Sequence, residues 1–286
     1  MPAVTSRLAV DLSGGLIRVL DGAMGGPMRC GSAGLPAGAM EGGKIKDTGA
    51  IAQALRQLLA RTEITETRAL VAASDAVATF RILDLPPAAT EKEVGAAIAR
   101  DLPLDPERMA TMWLDLATTE GRRTVYAAAW DRAMVKDVTD TIKMAGLDAT
   151  VVDLKSACVA RAVAEPSCVV LDLSADPVEI ILIDGMVPQL WHSFDLKVPL
   201  SDDVASALAP PLRSVVRFYR RRQDSTFGPS SPILISAEQV LPVQAINRLA
   251  ELIEQPVMTL PAPPRVPPHV RHSTYLTCLG LIMRRA

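Results

Sequence analysis

The sequence predicts an α/β protein of two lobes, in which one folding unit is used twice and an α-β-β-α subdomain is inserted into the first copy. A strand that ends in Asp, followed by small turn residues and a second strand, occurs at residues 8–20 and again at residues 168–183. The shared triplets are Asp11-Leu12-Ser13 and Asp172-Leu173-Ser174. Residues 86–147 lie between the two copies and have the pattern helix, strand, strand, helix, which indicates an inserted unit.

The composition is that of a globular protein. Of the 286 residues, 49% are hydrophobic and 22% are charged, which is enough chain for one large domain or for two lobes with separate cores. With 30 basic and 32 acidic side chains the net charge is −2, and this argues against a general nucleic-acid binder, which needs a basic surface to neutralise phosphates. One basic cluster consists of Arg217, Arg220, Arg221 and Arg222 on a predicted helix. We interpret it as a solvated helical face, with a contact to acidic lipid or to a partner as the alternative.

No segment has the features of a membrane-spanning helix or a metal site. The most apolar stretch, residues 177–191, is interrupted by Glu179 and Asp184 and falls short of the roughly 20 apolar residues that a span requires. The N-terminus lacks the apolar core of a signal peptide. The four cysteines include no Cys-x-x-Cys pair, and His269 and His272 have no third ligand near them in the sequence. We therefore expect a cytoplasmic protein with reduced thiols and no bound metal.

Local signals place the elements of the first half. A helix is predicted to begin near Asp47, and Thr90 and Glu93 have the spacing of a capping box at the start of the next helix. A third helix is predicted over residues 131–145, because Gly146 follows as a C-terminal cap. The glycine-dense residues 22–43 are predicted to form hairpin tips and a flexible loop.

The second half is predicted from the same kinds of signal. Strands are expected at residues 168–172, 178–183, 187–191 and 232–235, and helices at residues 202–222, 243–254 and 274–285. Pro210-Pro211 is expected to interrupt the first of these helices, and the proline-rich residues 256–268 are expected to form an extended surface connection. We assign residues 1–85 and 148–166 to the first lobe, 86–147 to the inserted subdomain and 167–286 to the second lobe.

A strand that ends in Asp and turns back through Gly or Ser can bind a phosphate. Backbone N–H groups of such a turn approach an anion closely, and the Asp can hold a metal-bound water. Two turns that face each other across a cleft could hold one nucleotide. On spacing alone, however, a strand that ends in Asp-x-Ser is more typical of an ordinary turn.

The chain resembles a known superfamily at the residue level. Residues 8–19, LAVDLSGGLIRV, are similar to the first phosphate motif of actin, Hsp70 and the sugar kinases, and the chain as a whole resembles the PilM proteins of type IV pilus assembly. Further segments resemble that family in the same order: residues 35–47, 77–86, 98–104, 216–219 and 279–281. The resemblance implies an actin-like fold, that is, a duplicated ribonuclease-H-like fold. The short stretch between Trp191 and Pro232 implies a reduced second lobe.

The resemblance also implies a nucleotide cleft, in a degenerate form. Its positions would be Asp11, Ser13, Gly14, Gly15, Asp172, Ser174 and Ser236. Ser174 replaces the glycine of the family's second phosphate motif, and Asp176 and Pro177 add a negative charge and remove an N–H donor. Glu238 stands where the family has paired glycines, and neither turn contains a Lys. We therefore expect no catalytic residue and no ATP hydrolysis, with binding of ATP and Mg²⁺ weak or absent, since a triphosphate brings about four negative charges.

The function implied by the resemblance is that of a scaffold at the inner face of the inner membrane. Such a protein would serve a type IV pilus or a related secretion platform and bind the cytoplasmic N-terminal segment of a bitopic membrane partner of the PilN type. We expect this segment in a groove between the first lobe and the insert. The predicted partner-binding residues are Phe80, Arg81, Ile82, Leu83, Leu85 and Trp130. The alternatives are an actin-fold ATPase or small-molecule kinase, and the cytoplasmic module of a secretion or cell-division relative; self-association is left open.

Overall fold

A computed structural model describes residues 6–102, 105, 107–118, 120–174, 177–200, 203–221 and 226–284. The first part of the chain forms β1 (Arg7–Asp11), β2 (Leu16–Gly22), β3 (Met28–Gly34), β4 (Met40–Glu41), β5 (Lys44–Ile45), α1 (Thr48–Arg61) and β6 (Arg68–Ala73). It is followed by β7 (Ala78–Leu85), α2 (Glu91–Asp101), β8 (Met109–Thr118), β9 (Arg123–Asp131), α3 (Arg132–Met144), β10 (Asp148–Leu154) and α4 (Lys155–Ala162). The remainder forms β11 (Cys168–Asp172), β12 (Val178–Asp184), β13 (Val187–Phe194), α5 (Val204–Arg220), β14 (Ile233–Ser236), α6 (Val243–Ile253), β15 (Val257–Thr259) and α7 (Leu276–Ile282).

The two lobes contain five-stranded sheets of the same topology. The first sheet has the order β10-β6-β1-β2-β3 and the second has the order β13-β12-β11-β14-β15. In the first sheet β1 pairs antiparallel with β2 and parallel with β6. In the second sheet β11 pairs in the same way, antiparallel with β12 and parallel with β14. The register also repeats, because Asp11 lies opposite Arg18 in the first sheet and Asp172 lies opposite Glu179 in the second. The predicted internal duplication is thus confirmed in the strand order and register.

The sheets and helices alternate in five layers. Helices α1 and α3 cover the outer face of the first sheet, and α5 and α6 cover the outer face of the second. Helices α4 and α7 lie between the sheets, in a core that both lobes share. Alternate residues of β1 pack on opposite faces of the first sheet. Leu8 and Val10 pack in the core under α1 and α3, and Ala9 packs in the shared core. Among the described residues, no helix combines the length and the apolar character that crossing a bilayer requires.

The inserted subdomain is a three-stranded antiparallel sheet of order β7-β9-β8, packed against α2. The capping box of Thr90 and Glu93 is present at the start of α2. Two features differ from the predicted limits of 86–147. Strand β7 pairs along its length with β9, so the sheet of the insert begins at Ala78. Helix α3 packs against α1 through Val138 and Ile142 and is therefore part of the first-lobe core.

Three local predictions are corrected by tertiary packing. The glycine-rich region includes a regular strand, β3, which completes the first sheet by pairing with β2. Helix α5 continues through Pro210 and Pro211, because the apolar face on either side of them is buried against the second sheet. The proline-rich segment begins with β15, which pairs with β14 at the sheet edge. The predicted residues Asp176 and Arg222 lie outside the described residues.

The close packing of α7 against α4 requires a glycine and provides a test of the shared core. A Cβ atom at Gly280 would lie 1.9 Å from the carbonyl oxygen of Cys158. We expect Gly280→Ala to lower the free energy of unfolding by at least about 2 kcal/mol, because backbone cannot yield as a flexible side chain can. Gly95→Ala is the control, since a Cβ at this position in α2 meets no atom within 4 Å. It should raise the stability by up to about 1 kcal/mol. Equal effects in urea unfolding would contradict this account of α7.

Candidate functional site

The site lies where β1 and β11 end, at the cleft between the lobes. At the end of β1, the carboxylate oxygen Oδ1 of Asp11 accepts a hydrogen bond from Ser13 N at 2.9 Å and another from the Ser13 hydroxyl. The next residue, Leu12, donates its N–H to the carbonyl of Ala72 in β6 at 3.0 Å. These bonds hold the turn that precedes Gly14 and Gly15.

The second lobe repeats this turn bond for bond. Oδ1 of Asp172 accepts hydrogen bonds from Ser174 N at 3.0 Å and from Ser174 Oγ at 2.6 Å. Leu173 donates its N–H to the carbonyl of Ser236 in β14 at 2.7 Å. The two Asp-x-Ser turns are therefore equivalent in structure, and each serine hydroxyl is bound to its own aspartate.

The two lobes differ in the charge placed opposite each aspartate. Arg18 is only 3% exposed, and its guanidinium lies 3.4 Å from Asp11 Oδ2. The same guanidinium crosses the cleft to donate to the carbonyl of Ser174 at 3.2 Å and lies 3.9 Å from the half-exposed Glu238. A first-lobe cation is thus bound to second-lobe backbone.

Lys155 provides the second cation of the cleft. It is the first residue of α4, is 1% exposed, and its ammonium lies 2.7 Å from Asp172 Oδ2 and 2.6 Å from Glu179 Oε2. The start of α4 is fixed by Asp75, whose carboxylate accepts hydrogen bonds from the backbone N–H of Ser156 at 2.8 Å and from its hydroxyl. Burial raises the pKa of Asp75 to about 7. Arg18, Lys155, Asp11, Asp172 and Glu179 together form the cleft network.

The pKa shifts in the cleft network follow from burial and charge. Burial alone would raise the pKa of Asp172, but the Lys155 ammonium and the hydrogen bonds to the carboxylate outweigh it and hold that pKa below its usual range. Burial raises the pKa of Glu179, and Lys155 offsets this only in part. Burial would lower the pKa of Lys155, yet the attraction of Asp172 and Glu179 raises it. Lys155 is therefore a fixed positive charge in a site shielded from water.

The open part of the cleft is a small cavity of about 190 Å³. Ser13, Gly14 and Gly15 form one side of it, and Glu179 and Trp191 form the other. The remaining lining residues include Gly42 and Gly43 of the β4–β5 turn, together with Ser74 and Ser193. The first turn thus opens onto a cavity.

The other predicted nucleotide positions are engaged elsewhere. Asp11 and Asp172 do not line the cavity and are buried in ion pairs. Ser236 pairs with Asp172 in the sheet, and its hydroxyl donates to the carbonyl of Ser273 at 3.2 Å. Ser174 uses its hydroxyl on Asp172. The structure thus brings the predicted residues together in space, with most of their polar atoms already bound within the chain.

Sequence reasoning missed Lys155, Arg18 and Glu179 as members of this site. Neither turn contains a Lys, as noted from the sequence, but Lys155 reaches Asp172 from a separate helix. A signal was available, because Lys155 is followed by the small and apolar residues of a helix that is almost wholly buried. A lone Lys in such a segment predicts a buried carboxylate partner, without saying which one.

A second concave feature runs along the insert. It is a groove of about 620 Å³, and residues 78–82 of β7 form one of its two walls. The opposite wall comes from the second lobe, through Leu190 and Trp191 of β13 and Phe218 of α5, with Arg221 just beyond that helix. The predicted groove was between the first lobe and the insert, so its far wall differs from the prediction.

The predicted partner-binding residues separate into two groups. Phe80, Arg81 and Ile82 line the groove, and the Phe80 ring stacks on Tyr126 with centroids 5.5 Å apart. Arg81 is exposed, and its guanidinium donates a hydrogen bond to the neighbouring carbonyl of Phe80 at 3.4 Å. In contrast, Leu83 is buried in the core of the insert and Leu85 packs against that core. Trp130 belongs to β9, where it pairs with Ala78 of β7, and it is not a lining residue of the groove.

Comparison with solved structures assigns the fold. The chain is similar to the structure of a PilM-PilN type IV pilus biogenesis complex, with 18% identity, 98% of each chain covered and a TM-score of 0.77. It is also similar to the cytoplasmic domain of EpsL, an inner membrane component of the type II secretion system of Vibrio cholerae. In that case the identity is 15%, the coverage is 99% of this chain and 97% of the other, and the TM-score is 0.56.

A protein from Bacteroides thetaiotaomicron with an actin-like ATPase fold is similar at 12% identity, 96% coverage of both chains and a TM-score of 0.53. The chain has an actin-like fold. The likeness to PilM predicted from the sequence is therefore confirmed at the level of the fold. No family model matches the sequence, and no curated protein has a significantly similar sequence.

The Lys155 ion pairs should carry a large part of the stability at the cleft. We expect Lys155→Met to lower the free energy of unfolding by about 3–5 kcal/mol, because Asp172 and Glu179 would remain buried without a cation. Lys136→Met is the matched control, since Lys136 pairs with Asp140 on the exposed surface of α3. It should cost less than about 0.5 kcal/mol. Denaturant unfolding of both variants measures the difference. An equally small loss of unfolding free energy in both would show that the buried ion pairs do not stabilise the fold.

Proposed function

We propose that this protein is a scaffold of a type IV pilus or related secretion platform, which acts at the cytoplasmic face of the inner membrane by binding an extended segment of a membrane partner. The observation that carries the proposal is the groove along β7. Its lining includes the five consecutive residues Ala78 to Ile82. Successive side chains of a strand point to opposite faces, so a groove lined by consecutive residues runs along the edge of the strand.

The edge of β7 is available for pairing. In the described part of the chain β7 has β9 as its strand partner on one side and no strand on the other. An edge strand of this kind presents unpaired N–H and C=O groups, which an extended peptide can complete as an added strand. Main-chain hydrogen bonds would supply affinity there, and apolar side chains of the peptide would contact Phe80, Trp191 and Phe218.

The similar structures support this type of partner and place. One of them contains PilM together with PilN, and another is the cytoplasmic domain of an inner-membrane secretion component. Both cover almost the whole of this chain. We infer a bitopic membrane protein of the PilN type, whose cytoplasmic N-terminal segment occupies the β7 groove and thereby holds the scaffold at the membrane.

We also propose that the cleft no longer binds nucleotide. A magnesium nucleotide would use the carboxylates of Asp11 and Asp172, and both already face cations of the chain. A metal ion at Asp172 would have to displace the Lys155 ammonium, and among the described residues no group of three His, Cys, Asp or Glu is arranged to hold a metal. The cavity of about 190 Å³ is also smaller than the roughly 300 Å³ at the lower end of small-molecule sites. The residues present therefore do not fit a magnesium nucleotide.

The alternative function, an actin-fold ATPase or kinase, needs a carboxylate that can act on water or a substrate hydroxyl. Asp11 and Asp172 are buried and paired, and Glu179 is bound to Lys155. Glu238 is half-exposed but lies beside Arg18. Among the described residues, no cleft side chain favours this alternative over a binding role.

The binding proposal is tested at the edge of β7. We expect a synthetic peptide of the cytoplasmic N-terminus of the PilN-type protein from the same organism to bind in titration calorimetry. Ile82→Glu should weaken that binding at least about tenfold, because it replaces an apolar lining side chain of the groove with a charged one.

Leu114→Glu is the matched control for that variant. It puts the same charge on β8, the opposite edge of the same sheet, where Leu114 is 56% exposed. This variant should bind the peptide as the unaltered protein does. Failure of the unaltered protein to bind the peptide, or equal weakening by both variants, would overturn the proposed site.

A further inference from the structure

Helix α5 has a basic and aromatic outer face. Its inner face, from Val204 to Tyr219, is buried in the second-lobe core. On the outer face, the aromatic side chain of Phe218 is 64% exposed. The exposed arginines around it are Arg213, Arg217, Arg220 and Arg221, the last just beyond the end of the helix. We call these five residues the α5 arginine face.

None of the four arginines forms an ion pair with another described residue, whereas other exposed arginines do. Arg100, Arg122 and Arg248 each pair with a carboxylate at similar exposure. Arg213, Arg217 and Arg221 follow one another at intervals of four residues, and like charges at this spacing repel. The dipole of α5 favours cations in its last turn, but Arg213 lies well before it. The arrangement therefore costs the isolated chain stability and is suited to a negatively charged partner.

The side chains of the α5 arginine face border two open hollows. A hollow of about 500 Å³ is lined by Pro210, Ser214, Phe218 and three of the arginines. A second hollow of about 250 Å³ lies between α5 and β13, and its lining includes Trp191, Ser214 and Phe218. Phe218 thus stands between two hollows, with charged side chains on one side and apolar side chains on the other.

We propose that the α5 arginine face is a docking surface for an acidic protein segment that carries an apolar anchor side chain. Carboxylates of the segment would form charge-assisted hydrogen bonds with Arg213, Arg217 and Arg221, and the anchor would contact Phe218. The hollows favour a protein segment over a flat bilayer, and the net charge of −2 disfavours a polyphosphate backbone.

This surface adjoins the β7 groove, but its proposal does not rest on the scaffold proposal. Phe218 and Arg221 border both, but Arg213 and Arg217 line only the hollow on α5. A substitution at Arg217 therefore tests the arginine face without altering the lining of the groove.

The experiment measures binding of a fluorescent synthetic peptide of Asp and Glu around a central Leu to the full-length protein at physiological salt. We expect binding that weakens as salt increases. Arg217→Glu should reduce the affinity at least about tenfold, and Phe218→Ala should also reduce it. Arg217→Glu places a carboxylate four residues from both Arg213 and Arg221, and these pairs offset the cost of a negative charge in the last turn of α5, so its unfolding temperature should be nearly unchanged. A loss of binding would then not be a loss of folding.

The control variant is Arg132→Glu, which makes the same charge change at an exposed position of α3. It should leave the affinity for the acidic peptide unchanged. Phosphatidylglycerol vesicles and a single-stranded oligonucleotide are titrated in parallel. The proposal is overturned if the unaltered protein does not bind the peptide, if Arg132→Glu weakens binding as much as Arg217→Glu, or if the vesicles or the oligonucleotide bind more tightly than the peptide.

Discussion

The ion pairs of Lys155 with Asp172 and Glu179 are the interaction on which the arrangement of the two lobes depends. The lysine begins α4, the helix that leads from the first sheet to the second. Its two partners belong to the second lobe, where Asp172 ends β11 and Glu179 lies in β12. Arg18 makes a similar connection in the opposite direction, from β2 to the carbonyl of Ser174. Charges buried to this degree are costly unless they are paired, so the pairs specify how the lobes meet.

This network gives a physical account of how an actin-like fold can serve as a scaffold. In such a cleft, two aspartates at equivalent turns require positive charge between them. Here the chain itself provides that charge, from Arg18 and Lys155, and both side chains are almost fully buried. Because both aspartates are paired in this way, we propose that the lobes are held together without a metal or a nucleotide. The surfaces proposed for binding are instead outside the cleft, at the edge of β7 and on the outer face of α5.

Local chemistry made much of the fold predictable from the sequence. The capping box at Thr90 and the repeated Asp-x-Ser turns at Asp11 and Asp172 depend on neighbouring residues, and all are present in the structure. The missed features depend on residues distant in the sequence. Strand β3 forms in a glycine-rich segment because β2 offers it a partner, and α5 passes through two prolines because its apolar face is buried. The same holds for the site, since nothing near Asp172 in the sequence indicates that Lys155 is its partner.

The central claim is that the cleft is complete without nucleotide, and thermal unfolding of the purified protein with and without Mg-ATP tests it most directly. A ligand that binds only the folded state with a Kd of about 1 µM would stabilise it by about 4 kcal/mol at ~1 mM. Such a gain would raise the unfolding temperature by several degrees. Our account predicts no change in unfolding temperature and no heat in the matching calorimetric titration. A clear rise in unfolding temperature, with saturable heat, would contradict it and would mean that the Arg18 and Lys155 ion pairs open to admit a nucleotide.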